Sequence, residues 1–331
     1  MQTKIDFSKL QTLDLNAELG GICIVKEAFK LMTKANKPYL NITLSDGVTT
    51  ITANIWNWTS NTIPQANDLV EVSGTVGMFA GNRQLNVGHI SRYTGELTTK
   101  DFLPTGGVDI AYYINRYLMF TEQISNKCLK EITNSILYKY KDLWETTPGA
   151  VTVHHDYLAG TLQHSVDVCN NALAISVNYK DIVNTDLLIA GALLHDVGKL
   201  ATYKFNVSVI EMTDQGMLLD HIPLGMRVLE EYRALAEQYN CSELFDILES
   251  IVLSHHGKLE YGSPITARCI EAMIICYADG IDAKCQTYRA ANRDAQSNKW
   301  TGKVYFIDNK PMLTSDYINS IVNNLPIEKE L

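Results

Sequence analysis

Residues 187–200 read LLIAGALLHDVGKL. The apolar run Leu187–Leu194 suits a helix buried on all sides. It ends in His195 and Asp196, and Gly198 then stops it. Adjacent helix positions point about 100° apart, so two neighbouring polar groups need two different partners. A buried helix ending in His-Asp is therefore odd for packing alone. Imidazole and carboxylate are ligands that a hydrolytic divalent metal takes. Lys199 follows on the turn, where an ammonium can reach a phosphate oxygen.

The pattern recurs downstream. LESIVLSHHGKLEYGSP, from Leu248, places His255 and His256 at the end of another apolar helix, closed by Gly257. TARCIEAMIICYADGIDAK, from Thr266, is a third apolar helix with Asp279 in its interior and Asp282 three residues on, on roughly the same face. HHDYLAGTLQHSVDVCNNALAI, from His154, sets His164 on a helix that otherwise reads as core. A single buried histidine is usually a hydrogen-bonded core residue. His164, His195, Asp196, His221, His255, His256 and Asp279 together match the ligand inventory of a two-metal site. Such a site clamps the attacking and leaving oxygens of a phosphoester between cations about 3.5–4 Å apart.

That ordered set resembles the metal-binding pattern of the HD-domain phosphohydrolases. HHDYLAG, LLHDVGKL and LSHHGKLEYGSP are similar, more narrowly, to the YhaM-type 3'→5' exoribonucleases, which join an N-terminal OB-fold to a C-terminal HD domain. AGTLQHS departs from that family's usual wording at Ala159, Gln163 and Ser165, none of them an expected ligand. The resemblance implies that Asp196 bridges two ions. His164, His195 and Asp279 then complete one, with Asp279 favoured over Asp282, and His221, His255 and His256 complete the other. It implies hydroxide attack on a phosphodiester, with Asp196 and Lys199 as catalytic residues and Lys199 and Lys258 as phosphate contacts. Manganese is the expected metal, with iron, cobalt, nickel or zinc also suited to these ligands. His154 and His155 could touch substrate, orient a ligand or cap the helix. Glu260, Tyr261 and Ser263 are further candidates for the pocket, or simply a polar loop.

The rest of the 331 residues fits a multidomain α+β chain. From Leu15 to about Thr94 five short alternating runs, separated by Gly, Asn and Asp, predict a five-stranded OB-like barrel. This is expected to be a nucleic-acid-binding domain over residues 1–95. Tyr39 and Trp56 are candidate base-stacking faces, with Phe29, Trp58 and Phe79, although neighbouring strands stack on aromatics too. Lys26, Lys30, Lys34 and Arg83 could follow a phosphate backbone. Residues 96–107 read as a linker. Residues 108–331 read as an all-α HD-type domain with a short C-terminal strand and helix extension. Asp109–Trp144 is expected to form one or two helices. Lys204–His221 is expected to form a small hairpin or irregular loop with a glycine turn.

Composition bounds the function. Hydrophobic residues make up 46% of the chain, enough for a full core. The net charge is −9, but residues 1–95 hold eight basic and seven acidic side chains, so the acidity lies in the remainder. That opposes tight duplex binding and is compatible with a short single strand held by metals and stacking. Seven cysteines without a C-x-x-C pair predict reduced thiols and a cytoplasmic setting. No signal peptide or membrane span is expected. Apolar positions between Asp109 and Trp144 would permit a homo-oligomer. The expected partner is single-stranded RNA, with DNA as a further candidate. Two rival readings are an HD phosphohydrolase or cyclic-nucleotide phosphodiesterase acting on small nucleotides, and a non-catalytic single-strand-binding protein.

Overall fold

The computed structural model describes residues 3–79, 82–103, 106–150, 155, 157–206, 209–295, 298–304 and 307–324. Two compact units emerge. One comprises Met1–Val108 with Lys204–Glu211, the other Asp109–Tyr203 with Met212–Leu331.

The first unit is a closed barrel of β1 (Glu18–Met32), β2 (Pro38–Ser45), β3 (Thr50–Trp56), β4 (Leu69–Phe79) and β5 (Asn82–Arg92), in the order β1-β2-β3-β5-β4. Neighbours are antiparallel except β3 and β5, which close the barrel in parallel at Asn54 and Asn86. Leu40, Ile42 and Leu44 alternate into the core, as a half-buried strand requires. A 3₁₀ turn over Phe7–Gln11 adds Phe7 and Leu10 to that core, a packing element absent from the sequence reading. The expected linker is also more structured than its Pro and Gly suggested. Phe102, on a second 3₁₀ turn, is fully buried against Ile22 and Ile24.

Of the candidate stacking residues, Tyr39 and Trp56 are cross-strand partners with ring centroids 5.0 Å apart. Trp56 is 56% exposed and Phe29 53%. Trp58 instead packs on the barrel core. The Phe79 side chain lies outside the described residues. Lys30 donates to the Ser60 carbonyl at 3.3 Å.

The second unit is helical: α1 (Ile110–Glu122), α2 (Lys127–Lys139), α3 (Lys141–Trp144), α4 (Gly160–Ser176), α5 (Thr185–Leu194) and α6 (Lys199–Thr202). After the strand pair β6 (Tyr203–Asn206) and β7 (Val209–Met212), most of which falls in the first unit, come α7 (Asp214–Leu219), α8 (His221–Glu230), α9 (Arg233–Gln238), α10 (Ser242–Ser254) and α11 (Ile270–Asp294). The chain continues with β8 (Trp300–Val304), β9 (Lys310–Leu313) and α12 (Ser315–Asn324). Helix α5 is the central rod: Leu187 to Leu194 are all buried, and α4, α2, α10 and α11 pack around it. Asn184 caps its start by accepting from the Leu187 amide.

Three expectations change here. The Lys204–His221 segment forms the hairpin, but Gly216 sits in α7, capped by Thr213, rather than in a turn. Cys128 and Cys241 form a disulfide between α2 and the start of α10. Seven scattered cysteines without a C-x-x-C pair predict reduced thiols, and sequence spacing does not show a pairing across 113 residues. Gly198 has ordinary helical torsions, φ −65 and ψ −20, so stopping the helix is not its role. A Cβ there would collide with the His221 carbonyl and the Gly225 amide, and the missing side chain lets α8 approach. No described helix is long and apolar enough to cross a membrane.

Gly198→Ala is expected to cost about 1–3 kcal/mol in urea unfolding, by overpacking the contact that places His221. Wild-type stability in that variant would contradict this account.

Candidate metal centre

The helical unit gathers His164, His195, Asp196, His221, His255, His256 and Asp279 into one place. His195 and His255 arrive by the same local device. Each follows the last residue of its helix and donates from Nδ1 to the carbonyl three residues back, His195 to Ala192 at 2.8 Å and His255 to Val252 at 2.7 Å. His256 donates from Nδ1 to the Tyr261 carbonyl at 2.7 Å, and its amide donates to Ser263 Oγ. Gly257, at φ +76, supplies the left-handed residue after it. His221 begins α8, its Nδ1 2.7 Å from Asp220 Oδ1. His164, on α4, has Nδ1 2.6 Å from Asp282 Oδ2.

Carbonyls and ionised carboxylates only accept, so all five imidazoles carry a proton on Nδ1. Their Nε2 atoms are then lone pairs when the rings are neutral. His164 and His195 Nε2 lie 3.3 and 3.4 Å from Asp196 Oδ2, and 3.3 Å from each other. Asp279 Oδ1 adds to this side at 3.1 Å from His164 Nε2. His221 and His255 Nε2 lie 3.5 and 3.4 Å from the other oxygen, Asp196 Oδ1. Ligand atoms of His221, His255, His256 and Asp196 all fall within 4.8 Å of one another.

The donor set fits a metal. Asp196 Oδ1, His221 Nε2 and His255 Nε2 are buried and have no hydrogen-bond partner among the described residues. Converging buried lone pairs repel one another, and a cation resolves that cost. The two oxygens of Asp196 face separate groups of imidazoles, as a bridging carboxylate requires.

Charge in the cluster is tightly coupled. Burial opposes ionisation of Asp196, yet Lys199 and His195 hold its pKa well below the usual carboxylate range. Burial opposes a charge on His164, but Asp196, Asp279 and Asp282 raise its pKa well above the usual imidazole value. Burial pushes His255 and His256 down, toward the neutral form that ligates. Asp220 is held at about 2, chiefly by its hydrogen bond to His221.

The sequence predicts Lys199 on a turn, reaching for phosphate, but it begins α6. Its side chain is buried, with Nζ 2.7 Å from Asp196 Oδ2. Lys258 is exposed, pairing with Glu260 at 3.1 Å and lying over the Tyr261 ring. His155 does not face solvent as a substrate contact would. It is 2% exposed, with Nε2 2.8 Å from Asp282 Oδ2 and Nδ1 2.8 Å from the Tyr157 hydroxyl. His154 lies outside the described residues. Ala159 takes a left-handed conformation, φ +58, at the cap of α4. This is one of the positions where the sequence departs from the family wording, which more often has glycine there. Sequence reasoning missed Asp220, although a carboxylate directly before a candidate imidazole at a helix start was a usable signal.

The HD domain family model matches residues 161–284, the span that holds His164, His195, Asp196, His221, His255, His256 and Asp279. A protein of a Geobacillus strain named 3'-5' exoribonuclease YhaM is 30% identical over 88% of this chain and 91% of its own length. The Bacillus velezensis protein of that name is 32% identical over 87% of this chain and 91% of its own length. The chain belongs to the YhaM family of 3'-5' exoribonucleases. A third member, from Oceanobacillus iheyensis, is 29% identical over 89% of this chain and 93% of its own length. With an HD domain and membership of this family, the chain is a metal-dependent hydrolase. The match spans barrel and helical unit alike, since it covers most of the chain.

One carboxyl near the site has the opposite bias. Burial raises Asp167 from 3.8 to about 6. Its folded pKa exceeds the unfolded value, so it binds more protons folded than unfolded between pH 3.8 and 6. Its contribution to stability therefore falls as pH rises through that window and stays low above it. Asp167→Asn should remove that fall, a gain at pH 7 over pH 4 on the order of 1–2 kcal/mol relative to wild type. Denaturation midpoints at the two pH values measure it, and a pH-independent difference would refute the assignment.

Proposed function

We propose that this chain shortens single-stranded RNA from its 3' end, using two divalent cations held on either side of Asp196. The carrying observation is the division of Asp196: Oδ2 toward His164 and His195, Oδ1 toward His221 and His255. Asp279 joins the first group and His256 the second. A bound pair supplies positive charge at the scissile phosphate and lowers the pKa of the attacking water. Manganese suits the imidazole-rich donor set, as do iron, cobalt, nickel and zinc.

The protein's own contribution is to hold these donors in place and dry. Five fixed Nδ1–H groups aim five Nε2 atoms before substrate arrives, so little reorganisation is needed at the reaction. Lys199 balances the Asp196 carboxylate from 2.7 Å and adds an ammonium to the positive charge of the centre. His155 serves by orientation rather than by substrate contact, and Lys258 lies on the exposed loop that follows His256.

The barrel unit supports the polymer reading over a small-nucleotide substrate. Tyr39, Trp56 and Phe29 present aromatic surface on β1–β3, and Asn41 Nδ2 donates to Asn54 Oδ1 at 2.9 Å between them. Aromatic faces with amide donors suit unstacked bases. Residues 1–95 are assigned the strand-binding role and residues 108–331 the hydrolytic one. DNA fits the same stacking surface and is the secondary substrate.

A 5'-labelled RNA oligonucleotide incubated with Mn²⁺ should shorten stepwise from the 3' end and stop on chelation. Internal cuts, or equal turnover without metal, would reject the reading. Asp196→Ala should bind neither cation and lose activity by about a thousandfold or more. Trp56→Ala should raise KM for a long RNA by about tenfold, the worth of one stacked base, and leave kcat near wild type. An unchanged KM would remove Trp56 from the RNA path.

A further inference from the structure

Asp282 lies one helical turn beyond Asp279 on α11, and the two acids grip opposite edges of one ring. Asp279 Oδ1 is 3.1 Å from His164 Nε2, while Asp282 Oδ2 is 2.6 Å from His164 Nδ1. Asp282 is itself held from behind. Its Oδ2 is 2.8 Å from His155 Nε2, and His155 Nδ1 is 2.8 Å from the Tyr157 hydroxyl, which donates to Gln163 Oε1 at 2.9 Å. Gln163 stands on α4 immediately before His164, so the chain of contacts closes on the helix where it began.

On the other side of Asp196 the counterpart is simpler. Asp220 Oδ1 is 2.7 Å from His221 Nδ1, and it also accepts from the His221 amide. The remaining three imidazoles are backed by neutral carbonyls, of Ala192, Val252 and Tyr261. Each half of the centre thus contains one carboxylate-backed imidazole. A carboxylate behind an imidazole fixes the ring and makes its far nitrogen more basic, which strengthens a metal bond there. His155, His164 and Asp282 also lie close enough to hold an ion themselves. Their hydrogen-bond distances, and an His164 Nδ1 that donates, make the group a positioning device instead.

We propose that Asp282 and Asp220 are positioning residues that set the affinities of the two cations separately. Asp282, steered by His155, governs the ion beside His164, and Asp220 governs the ion beside His221. This rests on the two-cation reading above.

The test is a Mn²⁺ titration of the full chain, followed by the EPR signal of the free ion. Wild type should take up two ions. Asp282→Asn, which keeps the shape of the side chain, should weaken one ion by about 10–100-fold and leave the other unchanged. Asp220→Asn should do the same to the other ion. Identity follows from the background. Asp282→Asn should add nothing to a His164→Ala protein and keep its full effect in a His221→Ala protein. His155→Phe should weaken the same ion as Asp282→Asn. His155→Gln, which retains a donor toward Asp282, should restore much of the loss. If Asp282→Asn fails to fold, the His155 pair gives the same readout one residue further out. Equal weakening of both ions, or of neither, overturns the proposal while leaving the two-cation centre intact. A wild-type protein that takes up no second ion removes the centre itself, and this inference with it.

Discussion

A carboxylate at 2% exposure, Asp196, is the point on which the helical unit turns. Burying an ionised group is costly unless charge and hydrogen bonds compensate it. Here the compensation is one ammonium, Lys199, and four imidazoles within 3.5 Å of its two oxygens. His164 comes from α4, Lys199 from α6, His221 from the start of α8 and His255 from the end of α10. The rod of apolar residues from Leu187 to Leu194 is what carries Asp196 to such depth; α4 and α10, packed on that rod, bring His164 and His255, and α8, packed on α10, brings His221.

The histidines are aimed by their outward nitrogens. Two ends of helices, at His195 and His255, use the same donation to the carbonyl three residues back. A free C-terminal carbonyl is an orphan acceptor in any helix, so an imidazole placed there satisfies it and is oriented in return. His256 depends instead on the loop that folds back through Tyr261 and Ser263. His164 and His221 depend on carboxylates from other positions, and those are the two rings with charge behind them. Pre-aimed donors lower the reorganisation needed when a metal or a developing charge arrives.

The barrel solves a different problem. Its interior is filled by alternating residues of the five strands and by Phe7 and Leu10 from the N-terminal turn. With the inside full, aromatic residues placed on the other face stay outside. Tyr39 pairs with Trp56 across β2 and β3, and Phe29 stands on β1 opposite Asn41. Trp58, two residues beyond Trp56, packs inward instead, because it follows the end of β3 and the strand alternation no longer governs it.

Local sequence determined the period-two strands of the barrel, the buried α5 and the apolar helices ending at His195 and His255. It also determined the types of the donors, since an imidazole or a carboxylate inside an apolar run is conspicuous without any structure. It could not decide between Asp279 and Asp282, because residues three apart share a helix face. Only the packing of α4 against α11 gives Nε2 of His164 to one and Nδ1 to the other. The same limit hid the inward turn of Lys199, the withdrawal of His155 behind Asp282, the Cys128–Cys241 pair and the reason for Gly198. Each is a contact between segments distant in the chain or a matter of which way a side chain points. Periodicity and capping fix the course of a helix; its neighbours fix what each of its side chains meets.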